Sequence, residues 1–242
     1  MNAQTWRFDN ANALYYGLID SLALTIQMII EEGRDPVLGL PTGNTMVPLY
    51  RLAAEREQEL QTGRWVCFNV DEYYPVLPDL KALSFKDYMD RHFYSRLNFS
   101  VNRKECLNGA ATDPALECVN YEKKIKESGG LDLLILGIGT NGHIGFNEPG
   151  SEFDSRTRLI NLHPQTLLAN FKGNAPFQQA MTLGIGTILE AKKIFVVAHG
   201  KNKARAVKDS IQEIQTRTVP ASALQKHPDV TWFLDQEASS LL

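Results

Sequence analysis

Short apolar runs alternate along this chain with longer stretches that mix apolar and charged residues at helical spacing. The runs occupy residues 36–40, 65–70, 131–136, 193–198 and 230–234, and they stop at Pro41, Asp71, Gly137, His199 and Asp235 respectively. Strands that are apolar at nearly every position are buried on both faces, as in a parallel sheet covered by helices. The helical stretches are 14–32, 46–61, 84–97, 114–127 and 202–213. Ser84 and Asp113 have the chemistry of helix N-caps, and Pro114 suits a first turn. The β-α alternation predicts an α/β fold: a doubly wound, mostly parallel, Rossmann-like sheet with helices on both faces. The first strand is expected near residue 36, with the polar segment 1–10 outside the pattern. Residues 149–180 are polar and turn-rich with weak periodicity, which reads as an active-site lid around 150–180. With no internal repeat and no linker composition, residues 1–242 are expected to form a single domain.

Composition narrows the class without naming the chemistry. The chain has 242 residues, 43% hydrophobic and 22% charged, as in ordinary globular proteins. Its formal net charge of −3 argues against a broad nucleic-acid footprint and leaves room for one small basic pocket. The three cysteines, Cys67, Cys106 and Cys118, lack C-x-x-C spacing, so neither a disulfide framework nor a Cys-rich zinc site is expected. The N-terminus has no basic-then-apolar signal pattern, and no window approaches 18 consecutive apolar residues. A cytoplasmic protein with neither membrane nor nucleic-acid partner is the expectation.

In doubly wound sheets, ligands bind beyond the carboxyl ends of the strands. Those ends concentrate glycines, hydroxyls, acids and bases here. Pro41-Thr42-Gly43-Asn44-Thr45 joins a strand to a helix, where backbone N–H groups can approach an anion; a plain capped turn has the same composition. Gly137-x-Gly139-x-x-Gly142 matches a dinucleotide fingerprint in form, but it lies past mid-chain and no acid-terminated strand follows at about 20 residues. Asp71-Glu72 reads either as a solvated acidic turn or as a general base in the crevice. His143 with Glu148 five residues later reads as an imidazole oriented by a carboxylate, or as a structural histidine. Together on one edge these residues favour acid–base chemistry on a small anionic substrate.

Five stretches carry a family resemblance: residues 38–45 (LGLPTGNT), 68–73 (FNVDEY), 137–150 (GIGTNGHIGFNEPG), 155–158 (SRTR) and 181–187 (MTLGIGT). They resemble the glucosamine-6-phosphate deaminases, of the glucosamine/galactosamine-6-phosphate isomerase family. The resemblance runs in order from about residue 36 to the C-terminus, and the 137–150 block is its most specific part. It implies conversion of D-glucosamine 6-phosphate and water to D-fructose 6-phosphate and ammonia, with no organic cofactor and no catalytic metal. Carried over by position, His143 opens the pyranose ring, Glu148 tunes and orients it, and Asp71 moves the proton between C2 and C1. Asn141 stands where many relatives have aspartate, and an amide stabilises an imidazolium less than a carboxylate does. Substrate binding falls to Thr42, Gly43, Asn44, Thr45 and Gly139, with the phosphate at the 42–45 turn and Lys203 as its cation. Lys172 lies where the family has a lid arginine, and offers a point charge in place of a bidentate fork.

Related 6-phosphogluconolactonases share the fold and the Gly-x-Gly-x-x-Gly-His core. They lack the Phe-Asn-Glu-Pro continuation and usually have arginine at the position of Tyr73. A non-catalytic sugar-phosphate sensor would not need Asp71, His143 and Glu148 together. Allosteric hexameric members carry a basic residue where this chain has Ile160, and a longer C-terminal tail. A monomer or small homo-oligomer outside the allosteric hexamer type is therefore expected.

Overall fold

The computed structural model describes residues 4–97, 104–171 and 175–242. In chain order the main elements are β1 (Gln4–Phe8), α1 (Ala11–Glu31), β2 (Val37–Leu40), α2 (Val47–Glu55), α3 (Glu57–Leu60), β3 (Val66–Asn69), β4 (Asp71–Tyr74), α4 (Phe85–His92), β5 (Lys104–Glu105), α5 (Pro114–Glu127), β6 (Leu133–Gly137), β7 (Arg158–Asn161), α6 (Pro164–Phe171), β8 (Gln179–Thr182), α7 (Ile185–Leu189), β9 (Ile194–Ala198), α8 (Ala204–Ile211) and β10 (Val230–Asp235). The large sheet runs β1-β10-β9-β6-β2-β3-β5, parallel throughout. This is the doubly wound arrangement expected from the alternating pattern.

Alternation along each buried strand sends side chains to two separate cores. Leu133, Ile135, Phe195 and Val197 face a layer formed by α1, α2 and α4, including Leu18, Leu22, Leu49, Tyr50 and Met89. Leu134, Leu136, Val196 and Trp232 face the opposite layer, with Tyr121 and Ile125 of α5 and Val207 of α8. Fully burying a side chain of this size contributes about 1.5–3 kcal/mol, so two dry faces account for the near-continuous apolar runs. Helix α1 is long and apolar enough, by length and composition, to cross a membrane. Its Leu14, Leu18, Ile19, Leu22 and Ile26 are instead core residues of this sheet.

Ser84 and Asp113 cap their helices as expected, accepting from Asp87 N and from Ala115 N and Leu116 N. Other expectations need correction. The first strand is β1, inside the segment read as polar; at the sheet edge only part of it needs to be apolar, and Trp6 and Phe8 pack on Phe233. The stretch 46–61 is two helices, broken at Arg56, whose guanidinium binds both Asp20 and Glu59. The stretch 84–97 is helical only to His92 before a separate single turn, and α8 ends at Ile211.

The largest correction concerns 149–180, which holds regular structure. Strands β7 and β8 pair antiparallel, β8 pairs antiparallel with β4, and α6 connects β7 to β8. This small sheet has its own core of Tyr73, Phe146, Leu162, Phe177 and Ala180, with the Tyr73 and Phe177 rings stacked at 4.6 Å. Its strands are four residues each and mix polar with apolar residues, too short to show a period.

Candidate active site

Asp71 begins β4, immediately past the residue that joins the two sheets. Val70 N donates to Leu40 O of the large sheet, while Val70 O accepts from Leu183 N beyond β8. Asp71 itself lies opposite Thr182. Its carboxyl is buried, and Oδ1 has no hydrogen-bond partner among the described residues. Burial, with the neighbouring Glu72 charge adding to it, pushes this acid up to about 8.

Glu72 points the other way, as the strand period requires. Its carboxylate accepts from Tyr73 N, Phe85 N and Lys86 N, each at 2.8 Å, and so anchors the N-terminus of α4. Burial outweighs those three bonds and raises Glu72 to about 7. The acidic pair is therefore neither a solvated turn nor two candidate bases. One acid is left without a hydrogen-bond partner at Oδ1 among the described residues, and the other is a structural anchor.

The turn from Gly137 to His143 closes on itself: Gly139 N donates to His143 O, and Gly142 N to Gly139 O. Gly142 takes φ +82°, a conformation that favours glycine. A Cβ on Gly139 would lie 2.2–2.5 Å from three imidazole atoms, so Gly139 forms the seat of the His143 ring. Nδ1 of that ring faces Asn141 Oδ1 at 2.7 Å, while Asn141 Nδ2 donates to Glu148 Oε2 at 2.8 Å. Glu148 Oε1 lies 3.5 Å from the same ring nitrogen and accepts from Thr166 on α6. Burial alone would raise Glu148, but contacts with His143, Thr166 and Asn141 outweigh it and hold the carboxyl at about 2.

Asn147 locks this turn to the rest of the edge. Its Nδ2 donates to Ile144 O and Leu183 O, and its Oδ1 accepts from Arg158 at 2.9 Å. Phe146 N donates to Thr182 Oγ1, opposite Asp71. Hydrogen bonding thus couples the histidine turn to the Asp71 strand. Thr166 escaped the sequence reading, since a lone threonine carries no spacing signal, and Thr182 entered it only as part of the 181–187 resemblance.

After β2, Thr42, Gly43, Asn44 and Thr45 line the sheet edge half-buried to exposed, with Gly43 at φ +106°. A Cβ on Gly137 would contact Met46, which places this loop beside the end of β6. Lys203 follows β9, half-buried, with no ion-pair partner among the described residues, and burial lowers its pKa. Lys172, the expected lid cation, lies outside the described residues. Among the described residues no three His, Cys, Asp or Glu side chains group as metal ligands.

A buried acid, an imidazole in a hydrogen-bonded array and a cation without an ion-pair partner among the described residues thus follow strands of one sheet edge. The chain belongs to the family described as glucosamine-6-phosphate isomerases/6-phosphogluconolactonase, whose pattern matches residues 9–232. It is 42% identical over 229 residues to a glucosamine-6-phosphate deaminase of Halothermothrix orenii, covering 92% of this chain and 93% of that one. A second such deaminase, from Rhodopirellula baltica, is 42% identical over 213 residues, covering 85% and 84%. Among solved structures, a monomeric glucosamine-6-phosphate deaminase superposes with a TM-score of 0.89 at 36% identity, over 99% of this chain and 100% of that one. A 6-phosphogluconolactonase from Trypanosoma cruzi superposes at 0.82 with 20% identity, over 100% and 98%, a likeness of fold alone.

Proposed function

We propose that this protein is a glucosamine-6-phosphate deaminase, which converts D-glucosamine 6-phosphate and water to D-fructose 6-phosphate and ammonia. The observation that carries the reading is the pairing of a buried, unpartnered Asp71 carboxyl with the His143–Asn141–Glu148 array on one sheet edge. Ring opening removes a proton from the anomeric hydroxyl and supplies one to the ring oxygen, which suits an imidazole. Asn141 and Glu148 hold that ring by Nδ1, leaving Nε2 to exchange protons with the sugar. In the open chain, Asp71 takes the C2 proton and returns it to C1. The resulting ketose imine is hydrolysed to the ketone and ammonia. The substrate's ammonium, arriving beside Asp71, favours the ionised form that a base requires. The C6 phosphate is assigned to Thr42, Gly43, Asn44, Thr45 and Lys203, with Lys172 as a further cation and Gly139 as the seat of the imidazole.

Tyr73 counts against a lactonase, because the position where lactonases usually carry arginine is buried here within an aromatic cluster. We take 1–242 as one catalytic domain, with the 150–180 segment as a lid tethered through Thr166 to Glu148. Arg158 is held by Asn147, and Ile160 supplies no charge beside it, which supports a monomer or small oligomer without the allosteric activation of hexameric relatives. The free thiols Cys67, Cys106 and Cys118 suit a cytoplasmic setting. The test is ammonia release from glucosamine 6-phosphate and, separately, galactosamine 6-phosphate, repeated with Asp71→Asn and His143→Gln. Turnover of the first substrate that both substitutions abolish is the expected result; undiminished turnover in both variants overturns the mechanism.

A further inference from the structure

Alternate carbonyls of the loop that follows β2 are each taken by a tyrosine hydroxyl, and each tyrosine comes from a different helix. Tyr50 of α2 donates to Pro41 O, Tyr88 of α4 to Gly43 O at 2.9 Å, and Tyr15 of α1 to Thr45 O at 2.5 Å. Satisfying buried carbonyls does not explain the whole set. Gly43 is exposed, and its oxygen already accepts from Met46 N at 2.9 Å, so the Tyr88 bond is a second one at a position water can reach. What these bonds fix is direction. In a trans peptide the C=O and the following N–H point opposite ways. Holding Pro41 O therefore aims Thr42 N–H away from α2, and holding Gly43 O aims Asn44 N–H away from α4. Neither amide donates to a protein acceptor among the described residues. Tyr15 restrains the turn that follows, and its ring packs edge-on against His199 at the end of β9, on the Lys203 side of the site.

We infer that Tyr15, Tyr50 and Tyr88 are positioning residues for the substrate's phosphate: Tyr50 and Tyr88, gripping the carbonyls of Pro41 and Gly43, pre-aim the Thr42 and Asn44 amides at the anion, and Tyr15, gripping Thr45, holds the turn that carries them. The inference rests on the reading of 42–45 as the phosphate site. Phenols suit this task because they donate without bringing charge. Burial raises the pKa of all three, with the Asp235 charge adding to the effect at Tyr15, so they remain donors throughout the working range. A loop already held in its bound form spends less of the binding free energy on ordering.

The experiment uses Tyr88→Phe and Tyr15→Phe, which remove one hydroxyl each, with Lys203→Ala as a reference. Inorganic phosphate serves as a competitive inhibitor, and thermal unfolding is followed in parallel. Each tyrosine substitution is expected to raise both the phosphate Ki and the KM for glucosamine 6-phosphate by about five- to tenfold, the worth of one hydrogen bond, with kcat within about twofold. A lowered Tm with unchanged Ki and KM overturns the inference and leaves the tyrosines a structural role. If Lys203→Ala raises Ki while neither tyrosine variant does, the clamp falls and the phosphate site stands. If none of the three moves Ki, the phosphate-site reading falls and takes the clamp with it.

Discussion

Asn141 Nδ2 donates to Glu148 Oε2 at 2.8 Å, with the opposite end of the same amide turned to the His143 ring. The amide serves both neighbours at once, since it donates on one side and accepts on the other. An aspartate in its place could hold the imidazole but would meet Glu148 as a like charge.

The variant Asn141→Asp is therefore expected to lose its bond to Glu148 and raise that carboxyl from about 2, while stabilising the imidazolium. The acidic limb of the kcat/KM profile should move to higher pH, with a maximum within about tenfold of the parent. A profile superimposable on the parent's would show that the amide has no electrostatic part in the reaction.

Asp71→Asn is expected to lower kcat by about 10²–10⁴-fold while leaving inhibition by inorganic phosphate unchanged, because the general base is lost and the phosphate site is untouched. The same substitution has a signature in stability. Asp71 sits near 8 in the folded protein, above the usual unfolded value of about 3.9, so the native state holds its proton more tightly. Stability then falls as pH rises between those values. An asparagine pays no such cost, so its Tm advantage should widen from pH 5 to pH 8 and level off above. Glu72, raised to about 7, acts in the same direction and will leave part of the slope in place.

Gly139→Ala puts a methyl 2.2–2.5 Å from imidazole atoms whose ring Asn141 holds in place. The ring must tilt. A loss of about ten- to a hundredfold in kcat is expected from misplacement alone, with about 1–3 kcal/mol of stability and an unchanged phosphate Ki. Steady-state kinetics beside thermal unfolding separates this outcome from simple misfolding.

Glu72→Ala should cost about 2–5 kcal/mol, because it strips three amides of their acceptor at the head of α4. Glu72→Gln retains one acceptor oxygen and should recover part of that loss in denaturant titration. If Glu72→Ala matched the parent in stability, the anchoring role would be wrong.

The large sheet was legible because its strands are buried on both faces, so β2, β3, β6, β9 and β10 appear as runs apolar at nearly every position. β1 and the small sheet were not, since an edge strand and four-residue strands of mixed polar and apolar sequence leave no comparable run. At the site, the sequence pointed to Asp71, His143 and Glu148 through their place at strand ends and through family resemblance. It could not show that Asp71 and Glu72 part to opposite faces, because that depends on β4 pairing with β8, more than a hundred residues further along the chain. It also missed Thr166, Tyr15 and Tyr88, whose importance lies wholly in what they touch.

The joint at Val70 has a geometric consequence for the substrate. The loop assigned to the C6 phosphate leaves the large sheet at β2, while the carboxylate assigned to C2 leaves it one strand over, where the chain crosses into the small sheet. The span from grip to proton is then set by the spacing and stagger of neighbouring strands, not by the length of any loop. On the proposed assignment it would act as a ruler for the distance between two carbons of an opened hexose. Insertions between β7 and β8 would leave that ruler unaltered.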